Sequence, residues 1–127
     1  MSDKKIESPL VLPHFELADG ETLGGYYSGP DGRLTRFILL PGDNDRASWK
    51  KQMSWAQSIG GKLFDRTEGA FLHATMNDEF KPEAYWTREV HQTDKSYAWY
   101  QYFLNGHQHC YGTGSKLRAR AVRREVI

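Results

Sequence analysis

The chain has 127 residues, 39% hydrophobic, 26% charged and 13% aromatic, with a net charge of +1 at pH 7. Such a composition suits one compact globular domain and excludes an intrinsically disordered chain. It argues against a generally basic nucleic-acid binder, and the single cysteine, Cys110, excludes an internal disulfide and a four-cysteine zinc site.

No apolar run approaches the roughly 18 residues that cross a bilayer. The opening MSDKKIESPL has no apolar signal core, so the expectation is a soluble, cytoplasmic protein. Residues 1–8 are polar and aperiodic and are expected to form a loose N-terminus, ahead of one domain over 9–127. Charge is uneven: residues 1–94 carry 11 basic and 15 acidic side chains, residues 95–127 carry 6 and 1.

The elements follow in chain order. Thr22–Ser28 and Leu34–Leu40 flank Gly29-Pro30-Asp31-Gly32, turn chemistry that predicts a β-hairpin. Pro41 to Asp45 is expected to be a polar loop. A helix is predicted from Trp49 to Ile59, with Ser48 as N-cap, Gly60 just past its end and an apolar stripe of Trp49, Met53, Ala56 and Ile59. A second runs from Arg66 to Asn77, where Asp65 and Glu68 have capping-box spacing. Strands are predicted over Ala84–Val90, Tyr97–Leu104, His107–Tyr111 and Leu117–Val122, with an Asn105-Gly106 turn between the second and third. Runs of strands without βαβ alternation predict an α+β fold, two helices packed on one side of a twisted antiparallel sheet.

Several motifs in the second half stand in a recognisable order. They are Ala84-Tyr85-Trp86-Thr87, the aromatic run Tyr97 to Phe103, Asn105-Gly106, and Arg118 to Arg123, preceded by SWKKQMSWA and Gly60-Gly61-Lys62-Leu63. Together, over about residues 35–124, they resemble the Lcl carboxy-terminal-domain family, a domain of unknown function. Two departures stand out: Phe64-Asp65-Arg66-Thr67-Glu68 replaces the family's PTR-x-E, and Arg88 stands where a small hydroxyl is usual. The resemblance implies a C-type-lectin-like fold and structural roles for Trp86 and Trp99. It also implies an origin among bacterial adhesins or phage and prophage proteins. Calcium-dependent lectin chemistry does not follow, because Glu-Pro-Asn, Gln-Pro-Asp and Trp-Asn-Asp are all missing.

No catalytic or cofactor signature stands out. Asp43-Asn44-Asp45 fails as a calcium loop, since the sixth position would be Ser48 rather than glycine. His107 and His109 share a strand face but lack a third ligand, so no metal is expected. Gly-x-Ser-x-Gly, Gly-x-Gly-x-x-Gly and Walker motifs are absent, and the chain is expected to be neither an enzyme nor a cofactor carrier. An enzyme on a formylglycine-generating-enzyme-like fold is a remote alternative.

What remains is binding. Leu117 to Val122 alternates apolar and basic residues, placing Lys116, Arg118 and Arg120 on one face, expected to be the solvent side. Tyr100 and Tyr102 share a face of the aromatic strand, and tyrosines are frequent interface anchors. Arg88, His107 and His109 complete the candidate set. The expectation is a non-enzymatic binding module of phage or prophage type for a protein partner, with an acidic surface favoured. An inhibitor of a host defence complex is its more specific form, since no stalk or fibre segment accompanies the domain. The alternative is a carbohydrate- or receptor-binding module at a virion tip or in an adhesin.

Overall fold

The computed structural model describes residues 12–127; the expected loose N-terminus lies outside the described residues. Among the described residues, nine strands and two α-helices follow one another as β1 (Thr22–Ser28), β2 (Leu34–Leu39), β3 (Asn44–Ala47), α1 (Trp49–Ser58), β4 (Lys62–Leu63), α2 (Arg66–Met76), β5 (Ala84–Val90), β6 (Tyr97–Tyr102), β7 (Gln108–Gly112), β8 (Leu117–Ala119) and β9 (Ala121–Val126), with a 3-10 turn at Asn77–Glu79. The fold is α+β, as expected. The strands form two sheets rather than one, in the orders β1-β2-β9-β4 and β3-β8-β5-β6-β7. Every pairing is antiparallel except a single parallel bridge, Tyr85 to Arg118.

Local chemistry sets the helix ends. Ser48 Oγ accepts from the Lys51 amide, and Gly60, at φ +84°, takes the left-handed turn that ends α1. Asp65 and Glu68 form a reciprocal capping box at the start of α2. The apolar stripe of α1 departs from its periodicity at one end: Ile59 is exposed and Gln52 is fully buried instead. Gln52 is satisfied there, donating to the carbonyls of Asp45 and Leu117 and accepting from Asn44.

The helices lie on opposite faces of β5, not on one side of a sheet. Tyr85 packs in a cluster with Leu72 of α2, together with Phe37, Phe64, Phe80 and Phe103. Its neighbour Trp86 packs with Ala56 and Met53 of α1. Adjacent strand residues point to opposite faces, so one strand serves both cores. Trp86 is fully buried and donates to the Ala47 carbonyl. Trp99 is only half-buried, with the Arg66 guanidinium 3.5 Å over its ring.

Two further departures concern the region expected to be a polar loop and the last predicted strand. Asn44–Ala47 is a strand paired with β8, so the polar loop ends earlier than its composition suggests. The predicted strand Leu117–Val122 divides at Arg120: β8 belongs to the five-stranded sheet and β9, running on to Val126, to the four-stranded one. This segment stitches the two sheets together, and the stitch is buried: Ala119, Ala121 and Val122 have no exposed surface.

Candidate functional site

The arginine row is not a solvent-exposed surface. Only Lys116 is exposed. Arg118 places Nε 2.8 Å from Asp43 and Nη1 3.2 Å from Asp45, and its side chain is 12% exposed. The Asp43 carboxylate also accepts from the Tyr85 hydroxyl at 2.5 Å. Burial, and then that carboxylate, push the Tyr85 hydroxyl well above the usual tyrosine range. Arg120, at the switch between sheets, is 7% exposed and donates to the carbonyls of Glu79 and Leu40. The expected alternation fails for a physical reason. At a corner between two sheets both sides of the strand face protein, so the arginines turn inward and find acceptors there.

The sheet brings four other candidates together. Tyr100 pairs with His109 across β6 and β7, and Ala98 pairs with Tyr111. The Tyr102 amide donates to the His107 carbonyl. Paired residues share a face, so Tyr100, Tyr102, His107, His109 and Tyr111 all point to the same side. The Tyr100 and Tyr111 rings lie 4.9 Å apart, and the His107 and His109 rings 6.0 Å apart, edge to face. Tyr100, expected to be exposed, is 8% exposed; burial, and then Tyr111, raise its hydroxyl pKa. Tyr111 and His109 pack against it, and Tyr102, His107, His109 and Tyr111 form the accessible surface. Tyr100, Tyr102 and Tyr111 also line a cleft of about 250 Å³ with Ala84, Leu117 and the Arg46–Glu83 ion pair.

Tyr111 is absent from the candidates read from the sequence, although it continues the period-two series of His107 and His109. Its signal was there; what was hidden was its pairing with Ala98, a small residue that leaves the Tyr111 ring free to lie over Tyr100.

Among the described residues, no strand pairs with the outer edge of β7, beside this patch. The β6–β7 ladder is hydrogen-bonded at Tyr102/His107 and again at Ser96/Thr113. Between these, alternation turns the amides of Gln108, Cys110 and Gly112 away from β6. β7 is the last strand of its sheet, and its sequence QHCYG has no Lys, Arg, Asp, Glu or Pro. Edge strands are commonly blunted by charge, proline or a bulge; this one has none of them.

The other face of the same edge is held rigid from α2. Gln108 donates to Gln101 and to the Arg66 carbonyl, and Arg66 Nε donates back to Gln108. Cys110 sits on this face, and burial raises its thiol pKa, the opposite of an activated nucleophile.

Arg88 lies apart from the patch. It lines a cleft of about 380 Å³ between α1 and β4 with Met53, Ser54, Gln57, Gly61, Lys62 and Leu63. Among the described residues no group of three or more His, Cys, Asp or Glu side chains converges as a metal site would require. No helix among them is long and apolar enough to cross a membrane.

Compared with known proteins, the chain matches no family model and no curated protein.

Proposed function

We propose that the chain is a non-enzymatic binding module that takes up an extended segment of a protein partner along β7. The observation that carries this reading is the coincidence of an open, uncharged strand edge with a raised Tyr–His surface. Outward amides at Gln108, Cys110 and Gly112 supply the donors for strand addition. Tyr111, His109 and Tyr102 supply amphipathic contact area beside them, with polar tips that bond to a partner's backbone. The C-type-lectin-like assignment and the phage or prophage origin belong to the same proposal and rest on the family resemblance. Of the arginine row, only Lys116 is accessible to a partner, so the recognition is aromatic and backbone-mediated rather than a match to an extended acidic surface.

The test uses Cys110→Pro and Tyr111→Glu. Proline at 110 removes an outward N–H and leaves the ladder to β6 intact. A partner captured by the wild-type chain should be lost from both variants and retained by Arg88→Gln. Amide exchange should slow across residues 108–112 in the complex. A partner retained by both edge variants, or protection elsewhere in the chain, overturns the proposal.

A further inference from the structure

We infer that the cleft between α1 and β4 is a binding site for a small organic anion, a carboxylate or phosphate carried on a short apolar stem, held by Lys62 and Arg88. The inference is independent of the β7 edge, whose residues do not line this cleft.

The lining is one-sided in charge. Its residues include two cations and no acid: Met53, Ser54 and Gln57 from α1, then Gly61, Lys62 and Leu63, and Arg88 from β5. Its volume of about 380 Å³ falls at the small end of ligand sites. Met53 offers apolar surface over the buried Leu63, and Ser54 and Gln57 offer neutral hydrogen-bonding groups.

The state of the two cations sets this cleft apart. Most arginines of the fold are hydrogen-bonded: Arg36 to Glu125, Arg66 to Gln108, Arg118 to Asp43, Arg123 to Glu21, and Arg124 to Glu68. The Arg88 guanidinium donates no such bond to any described residue. Its nearest carboxylate, Asp65, is 3.7 Å away. That contact is a long ion pair, Nη2 to Oδ2, while Asp65 Oδ1 accepts from the Glu68 amide to cap α2. The Lys62 ammonium has no ion-pair partner among the described residues, and both side chains are exposed. A planar guanidinium that makes no hydrogen bond to the described residues, beside an unpaired ammonium, is an arrangement that recognises carboxylate or phosphate.

A second cleft of about 380 Å³ adjoins the first, sharing Gly61, Lys62 and Arg88 and continuing to Arg123 and Arg124. Those two arginines are neutralised by Glu21, Glu125 and Glu68. The unpaired Lys62 and the loosely paired Arg88 therefore sit between the clefts. An anion placed there directs its stem into the first cleft, toward Met53.

The experiment is a nitrogen–proton NMR titration of the folded chain with hexanoate, hexyl phosphate, acetate, hexanol and hexylamine. Hexanoate or hexyl phosphate should give saturable shifts confined to residues 53–63 and 88. Acetate, hexanol and hexylamine should bind at least about tenfold more weakly, since each lacks the stem, the charge or its sign. Lys62→Gln and Arg88→Gln should each weaken hexanoate or hexyl phosphate by about tenfold, and the pair together should abolish saturation. Both residues are at the surface, so the variants should melt with the wild type, and Thr67→Gln serves as an exposed control. The inference is overturned if neither anion saturates by about 10 mM. It is equally overturned if hexanol matches hexanoate, if acetate matches hexanoate, or if the double variant binds as the wild type does.

Discussion

Removing Arg124 should be among the most damaging single changes to this fold. Glu68 has no exposed surface, and its carboxylate faces Arg124 through two contacts, Nε to Oε2 at 2.7 Å and Nη2 to Oε1 at 2.5 Å. The Tyr27 hydroxyl donates to it at 3.0 Å, and the Asp65 amide at 2.9 Å. These partners tie β9 to α2 and α2 to β1. In Arg124→Met the carboxylate keeps the two neutral donors and loses the one cation paired with it among the described residues. Breaking a buried pair on one side costs about 3–5 kcal/mol, because a desolvated charge is left behind. For a chain of this length that is a fall in melting midpoint of about 10–20 °C. Glu68→Gln in the same background removes the stranded charge, so the double variant should be more stable than Arg124→Met by at least about 1 kcal/mol. Urea unfolding of the four members of this cycle measures the coupling. An Arg124→Met chain melting within about 3 °C of wild type, or a double variant less stable than that single one, refutes the reasoning.

Three further outcomes follow from particular contacts. Trp86→Ala should cost about 3–5 kcal/mol in urea unfolding, and Trp49→Ala distinctly less, because Trp86 is fully buried and Trp49 half-buried; the reverse order would reject the assignment of the two rings. Arg118→Glu should lower the melting midpoint by setting a third carboxylate beside Asp43 and Asp45, while Lys116→Glu leaves it unchanged; equal midpoints would show the arginine to be a solvated group. Hydrogen bonds from Arg123 to Glu21, and from Arg36 and then Arg123 to Glu125, hold both carboxylates below the ordinary glutamate value of 4.5. Their contribution is complete above that value and is lost as pH falls through the lowered ones, whereas Asp65, raised by burial, acts in the opposite sense. Melting midpoints should therefore fall from about pH 5 downward, and the fall should flatten in Arg123→Gln; an unchanged slope would contradict the pairing.

Much of this molecule was legible as local chemistry. Ser48, Asp65 and Glu68 cap helices with their own backbone neighbours, and Gly60 ends α1 through its own φ, so these boundaries depend on residues only a few positions apart. Strand period placed Tyr100 with Tyr102 and His107 with His109, and the Asn105-Gly106 turn brought the two pairs to one surface. Charge alternation over Leu117 to Val122 was equally visible, yet it misled, because whether a strand face meets water is not a property of the strand. Arg118 finds Asp43 across 75 positions of chain, and Arg120 finds the Leu40 carbonyl across 80. The split of that strand between two sheets and the inward turn of its arginines depend on groups distant in sequence. Period and capping act within a few residues, whereas burial and charge compensation are summed over whatever the fold packs alongside, and only the tertiary structure decides that sum.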